Sequence, residues 1–153
     1  MTDMYIREDN VLSKDECEFL AGVLLPIAEK QIRKYGEFYP FGAVLLNNDT
    51  VELLNIYDEN TSLDSQQAID SLVKTYKQLA SEGKIKASGI AWRSAMKNSS
   101  GENDEAIIVS LEHKNNYSVV VGEKYRVGIF KKGIFRRVKF DDLCAFEGKH
   151  DVF

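Results

Sequence analysis

Apolar residues recur every three or four positions as Phe19, Leu20, Val23, Leu24 and Ile27, the spacing that gathers side chains on one face of a helix. Ser13, with Glu16 three residues later, has the pattern of a capping box and sets the expected helix start. Pro26 has no amide hydrogen, so it is expected to kink this helix or to open a second one at its own first turn. Gly36 is the expected stop. The period then changes. Phe38 to Leu46 reads as a strand, Asn47-Asn48-Asp49 as a turn and Val51 to Tyr57 as the returning strand. The first strand of this hairpin is apolar on both faces, which predicts a central position covered on both sides. A polar connector, Asp58 to Asp64, carries helix-capping residues. After it, Ile69, Leu72, Val73, Tyr76, Leu79 and Ala80 form one stripe, predicting an amphipathic helix over Ser65 to Glu82 that Gly83 ends.

Three strands are predicted next: Ile85 to Met96, Glu105 to His113 and Tyr117 to Val127. The polar run Asn98 to Asp104 and the turn Lys114-Asn115-Asn116 separate them. Alternation puts Ile107, Val109 and Leu111 on one face and Ser110 and Glu112 on the other, and groups Tyr117, Val119 and Val121. Gly128 to Phe140 reads as a last hairpin around Lys131-Lys132-Gly133, and Asp141 to Phe153 as a helical turn or a loose tail. The order is α-β-β-α-β-β-β with a β-rich tail. Short turns between neighbouring strands make the expected fold class α+β, a largely antiparallel sheet with helices packed on it. The 153 residues fit a single domain, and no repeat or linker divides them.

Composition narrows the class of protein more than its function. Apolar residues at 44% and charged ones at 29% belong to a folded chain and not to a disordered one. The longest apolar stretch, Phe19 to Ala28, is broken by Gly22 and Pro26 and is too short to span a bilayer. No basic segment precedes an apolar run at the N-terminus. The expectation is a cytoplasmic protein with no membrane partner. Cys17 and Cys144, far apart and in no Cys-x-x-Cys pair, are expected as free, buried thiols.

The candidate chemistry is sparse. His113 and Glu112 are neighbours on a predicted strand, so their side chains point to opposite faces; His113 is expected at the surface or close to a turn, and His150 exposed. Trp92 and Arg93 likewise diverge, with Arg93 a possible cross-strand partner of Glu112. The sequence holds no metal-ligand spacing, phosphate-binding glycine loop or nucleophile elbow. Neither metal nor cofactor is expected, and no catalytic residue is assigned. Charge is distributed unevenly. Glu8, Asp9, Asp15, Glu16 and Glu18, with Asp3, outnumber Arg7 and Lys14 near the start, and the helix dipole accounts for part of this. These acids are the candidate surface for a basic protein partner. Seven basic residues and no acid lie between Lys124 and Lys139, interleaved with Tyr125, Phe130 and Phe135. Lys131, Lys132, Arg136 and Arg137 are therefore candidates for holding nucleic acid, against the plainer reading of a charged edge that blocks aggregation. The net charge of −4 favours a protein partner over nucleic acid.

The segment Phe38-Tyr39-Pro40-Phe41-Gly42-Ala43-Val44-Leu45, with the Ser65-led helix and Val109-Ser110-Leu111-Glu112-His113, resembles small uncharacterised bacterial proteins sharing a Tyr-Pro-Phe-Gly-Ala hairpin. Such stand-alone acidic domains are similar to immunity proteins of bacterial toxin systems. The resemblance implies a fold and no established activity. The lack of a catalytic set, the acidic composition and the compact single domain instead lead to the expectation of a non-catalytic protein-binding domain, most concretely an immunity protein whose partner is a basic toxin domain. An orphan enzyme or small-ligand-binding domain is the alternative. Pro40-Phe41-Gly42-Ala43-Val44 also looks like the first strand of cytidine-deaminase-like enzymes. There the second helix should open on His-x-Glu or Cys-x-Glu; here it opens on Leu63-Asp64-Ser65-Gln66, and no later cysteine pair follows. Zinc chemistry does not transfer to this chain.

Overall fold

The structure, a computed structural model, describes residues 2–55, 64–97, 100–127 and 138–153, with side chains from residue 11 onward. The elements are α1 (Thr2–Tyr35), β1 (Phe41–Leu46), β2 (Val51–Leu54), α2 (Ser65–Ser81), β3 (Ile85–Lys97), β4 (Asn103–His113), β5 (Tyr117–Val127) and β6 (Val138–Glu147). Among the described residues the six strands form one antiparallel sheet in the order β2-β1-β3-β4-β5-β6. The class is α+β, as the pattern predicts. The last element differs from expectation: β6 runs on through Asp141 to Glu147, where a helical turn or tail was expected, because this stretch pairs with Val119 to Glu123 of β5. The proposed turn around Lys131-Lys132-Gly133 lies outside the described residues.

The two helices cover opposite faces of the sheet. Cys17, Leu20, Leu24, Ala28 and Ile32 of α1 pack on Ala43, Leu45, Ala87, Ile107, Val109 and Leu111. Leu72 and Tyr76 of α2 pack on Val44, Ile85 and Ile90, with Val152 closing the cluster. β1 is thus covered on both sides, though it stands second in the strand order and not at its centre. Its apolar run follows from that double burial.

α1 departs most from expectation. It begins at Thr2, so Ser13 is no cap; it is fully buried inside the helix. Asp15, Glu16 and Glu18 are consequently mid-helix, where the dipole that favours acids in a first turn no longer explains them. Pro26 lies inside the continuous helix on its exposed side, next to exposed Gly22, whose carbonyl loses its helical donor where water can replace it. Gly36 stops the helix with φ 77°, its amide bonding the Ile32 carbonyl at 2.8 Å. α2 starts on Asp64, whose side chain accepts from the Gln67 amide at 2.8 Å while the Gln67 side chain accepts from the Asp64 amide at 3.0 Å. Gly83, φ 69°, follows its end.

Candidate functional site

Among the described residues, a polar cluster joins α1 to the turn end of the sheet. His113, the last residue of β4, stands directly before the turn, as one of the two expectations had it, but not at the surface: it points to the α1 face with 1% of its surface exposed. Its Nε2 meets Glu16 Oε1 at 2.9 Å, and the Asn115 amide donates to its Nδ1 at 3.1 Å. With Nδ1 accepting, the ring proton sits on Nε2 and goes to Glu16. Glu16 also receives Lys86 Nζ at 3.3 Å, and Lys86 bonds Asp49 in the β1–β2 turn. These carboxylates, Asp49 first and then Glu16, hold the Lys86 ammonium above its ordinary range against the opposing effect of desolvation. The cluster borders a cleft of about 670 Å3 flanked by Leu12, Lys114 and Phe153.

This arrangement fastens the helix to the sheet. Both nitrogens of His113 are engaged, so the ring has no free lone pair to take a substrate proton. Glu112 points to the other face, 5% exposed, and accepts from the Val152 amide at 3.1 Å; burial raises its carboxyl. Arg93 does not meet Glu112. Register places Arg93 opposite Ile107 and Glu112 opposite Ser88. Arg93 instead reaches Glu37 at 3.5 Å. Cys17 is fully buried, and burial first, then the carboxylates of Glu16 and Glu112, pushes its thiol up to about 12. Such a thiol stays protonated and is no nucleophile. Cys144 is exposed, contrary to expectation, because it lies on the edge strand β6. An alkylating reagent at pH 8 is therefore expected to modify Cys144 in the folded protein within minutes and Cys17 only after denaturation. Peptide mass mapping checks this; labelling of native Cys17 at a comparable rate would overturn its burial.

The acidic candidates separate. Glu16 is turned inward and committed to His113 and Lys86, so it is not a free partner-binding acid. Asp15 and Glu18 are exposed, Glu18 within 3.9 Å of Lys14. The side chains of Glu8 and Asp9 lie outside the described residues. Around Asp15 and Glu18, the outward face of α1 carries Val11, Leu12 and Phe19 at 59%, 55% and 55% exposure. Phe19 was assigned to the inward stripe by periodicity; the buried stripe is Ser13, Cys17, Leu20 and Leu24, half a turn away. Anchoring the wheel on Cys17 and Ala28 as buried positions was the sequence signal that would have turned Phe19 outward. Lys86 and Asp49 gave no such signal.

Of the basic candidates, Lys131, Lys132, Arg136 and Arg137 lie outside the described residues. Lys124 and Arg126 share one face of β5, and Lys139 stands opposite Arg126. A second cleft, about 930 Å3, lies beside the C-terminal half of α1 and is lined by Gln31, Tyr35, Glu37, Phe38, Phe41 and Arg93, among others. Tyr57, the expected end of the returning strand, lies outside the described residues. Among those described, no three His, Cys, Asp or Glu side chains cluster as a metal ion would require, and no helix is long and apolar enough to cross a membrane. Compared with protein-family models, curated proteins and solved structures, the chain has no match.

Proposed function

We propose that this chain is a non-catalytic protein-binding domain that docks a basic partner on the outward face of α1, most concretely an immunity protein that neutralises a bacterial toxin domain. One observation carries the reading: three large apolar side chains, Val11, Leu12 and Phe19, are each more than half exposed on a helix face that also presents Asp15 and Glu18. Exposing apolar groups in one patch gives up the free energy of burying them, and such patches with charged surroundings mark interaction sites. The acids supply the sign. They steer a basic surface into place and select against an acidic one. The internal bonding of Glu16 and His113 keeps this part of the helix rigid, so binding orders little that was loose.

The test is co-expression with candidate basic toxin domains drawn from the neighbouring reading frames, scored by growth and by the affinity of the purified pair. Phe19→Ser and the double change Asp15→Lys, Glu18→Lys are the informative variants, since none of the three residues is buried. Truncating a central aromatic commonly costs about 2 kcal/mol or more, roughly 30-fold in Kd. The charge reversal should slow association and remove its salt dependence. Protection from the toxin that survives both changes would refute this surface.

A further inference from the structure

We propose that the cleft beside the C-terminal half of α1 is a binding site for a small planar apolar anion, an aryl carboxylate or sulfonate. It is a different surface from the outward face of α1, and it would serve a ligand and not a protein. The cleft holds about 930 Å3, within the roughly 300–1,000 Å3 of small-molecule sites. Its walls come from the segment most distinctive in the sequence. Phe38 and Phe41 stand edge to face, centroids 5.6 Å apart and planes at 75°, and Tyr35, 54% exposed, forms the rim. Aromatic walls of this kind favour a flat apolar body, which can stack or meet a ring edge.

Charge chooses the rest of the ligand. The Arg93 guanidinium lines the cleft, and Glu37 meets it at 3.5 Å while remaining 71% exposed. A guanidinium has five N–H donors in a planar fork that fits a carboxylate or sulfonate. Glu37 is a distant, solvated partner that an incoming anion can displace. Arg93 is the one cation among the lining residues and Glu37 the one acid. Gln31, Asn55 and Ser65 add neutral polar groups on the remaining wall. An uncharged ligand would leave the guanidinium to Glu37; a cation would meet the like charge of Arg93.

The probe is 8-anilinonaphthalene-1-sulfonate, with uncharged N-phenyl-1-naphthylamine for comparison, each titrated against the intact chain by fluorescence and calorimetry. The expected result is one saturable site for the sulfonate with Kd on the order of tens of micromolar, reasonable for a ligand of that size in an open cleft. Arg93→Gln should weaken it about tenfold or more, the usual consequence of losing a charge-assisted hydrogen bond, and leave the uncharged dye unaffected. Glu37→Gln should tighten the sulfonate, because it removes the competing carboxylate. A retained cooperative melt in each variant shows that the dye reads the folded state. Arg93→Lys, which keeps the charge and loses the fork, replaces Arg93→Gln should that variant unfold. No saturable binding, or an affinity indifferent to both Arg93 and Glu37, would overturn the proposal. Phe19→Ser should leave dye binding unchanged, so failure here and failure of the α1 surface are told apart.

Discussion

Gly42→Ala is expected to destabilise the protein by about 3–5 kcal/mol, adding an overpacking cost to that of an orphaned buried hydroxyl. Gly42 lies on β1 between Leu54 of β2 and Ile90 of β3, and the Tyr76 phenol of α2 stands directly over it. A Cβ at this position would come within 1.9 Å of the Tyr76 hydroxyl and 2.5 Å of the Gly89 carbonyl oxygen. Tyr76 is fully buried, and its hydroxyl donates to that carbonyl at 3.0 Å. The methyl group cannot be added without moving Tyr76 off its acceptor or pushing β1 from β3. The loss is a large share of the 5–15 kcal/mol that holds a domain together, and should lower Tm by on the order of ten degrees or more. Tyr76→Phe in the same chain removes the oxygen in closest conflict. It should recover part of the loss and not all, since the ring carbon at 3.1 Å and the Gly89 carbonyl remain. A double-mutant cycle in urea measures that coupling. Parent-like melting of Gly42→Ala would remove this account of the glycine in the Tyr-Pro-Phe-Gly-Ala segment.

The second large effect concerns pH. Glu123 of β5 faces α1 with only 7% of its surface exposed, and its Oε1 has no hydrogen-bond partner. Burial first, then the neighbouring Glu29 carboxylate, pushes its pKa up to about 7, while Arg33 pulls it down. A carboxyl with a folded pKa above its unfolded value near 4.5 binds its proton more tightly when folded. Its stabilising contribution is complete below pH 4.5, is lost progressively as pH rises to about 7, and does not return above that. The loss should be about 2–3 kcal/mol between pH 4.5 and 8. Glu123→Gln keeps the shape of the protonated acid and removes the titration. The variant should match the parent near pH 4.5 and exceed it in stability at pH 8. Glu112, also raised by burial, contributes a slope of the same sign in both proteins, so it cancels in the difference. Urea unfolding of both across this range is the measurement. A flat difference, or a parent that gains on the variant as pH rises, would contradict the assignment.

What the sequence disclosed depended on how local the cause was. Strands β4 and β5 were legible almost to the residue, because alternation and the Lys114-Asn115-Asn116 turn are local signals, and Asn116 takes the positive φ of 65° such a turn needs. The polar connector with helix-capping residues that ends at Asp64 and the stop at Gly83 are equally local. Ser13 gave the same kind of signal and was misleading: the helix continues eleven residues upstream, and burial against the sheet overrides a capping preference. The polar cluster was invisible. Glu16 finds His113 97 residues away, and Lys86 70 residues away, distances over which composition and periodicity say nothing. The Arg93–Glu112 pairing failed for a related reason, since each residue's face could be inferred and the register could not. β6 went unread beyond Phe140 because an exposed edge strand shows no clean alternation: from Asp141 to Glu147 every residue is exposed.

That same strand bears on how the protein behaves when concentrated. Between Glu123 and Tyr125, β6 holds an extra residue, so Asp141 and Asp142 together stand opposite Lys124. The added residue kinks the outermost backbone and places two like charges where another molecule's strand would have to align. Leu143 and Phe146, 55% and 49% exposed, are the side chains that such stacking would otherwise recruit. The kink and its paired aspartates act as a gatekeeper for them, keeping a ten-residue open edge from templating a fibril.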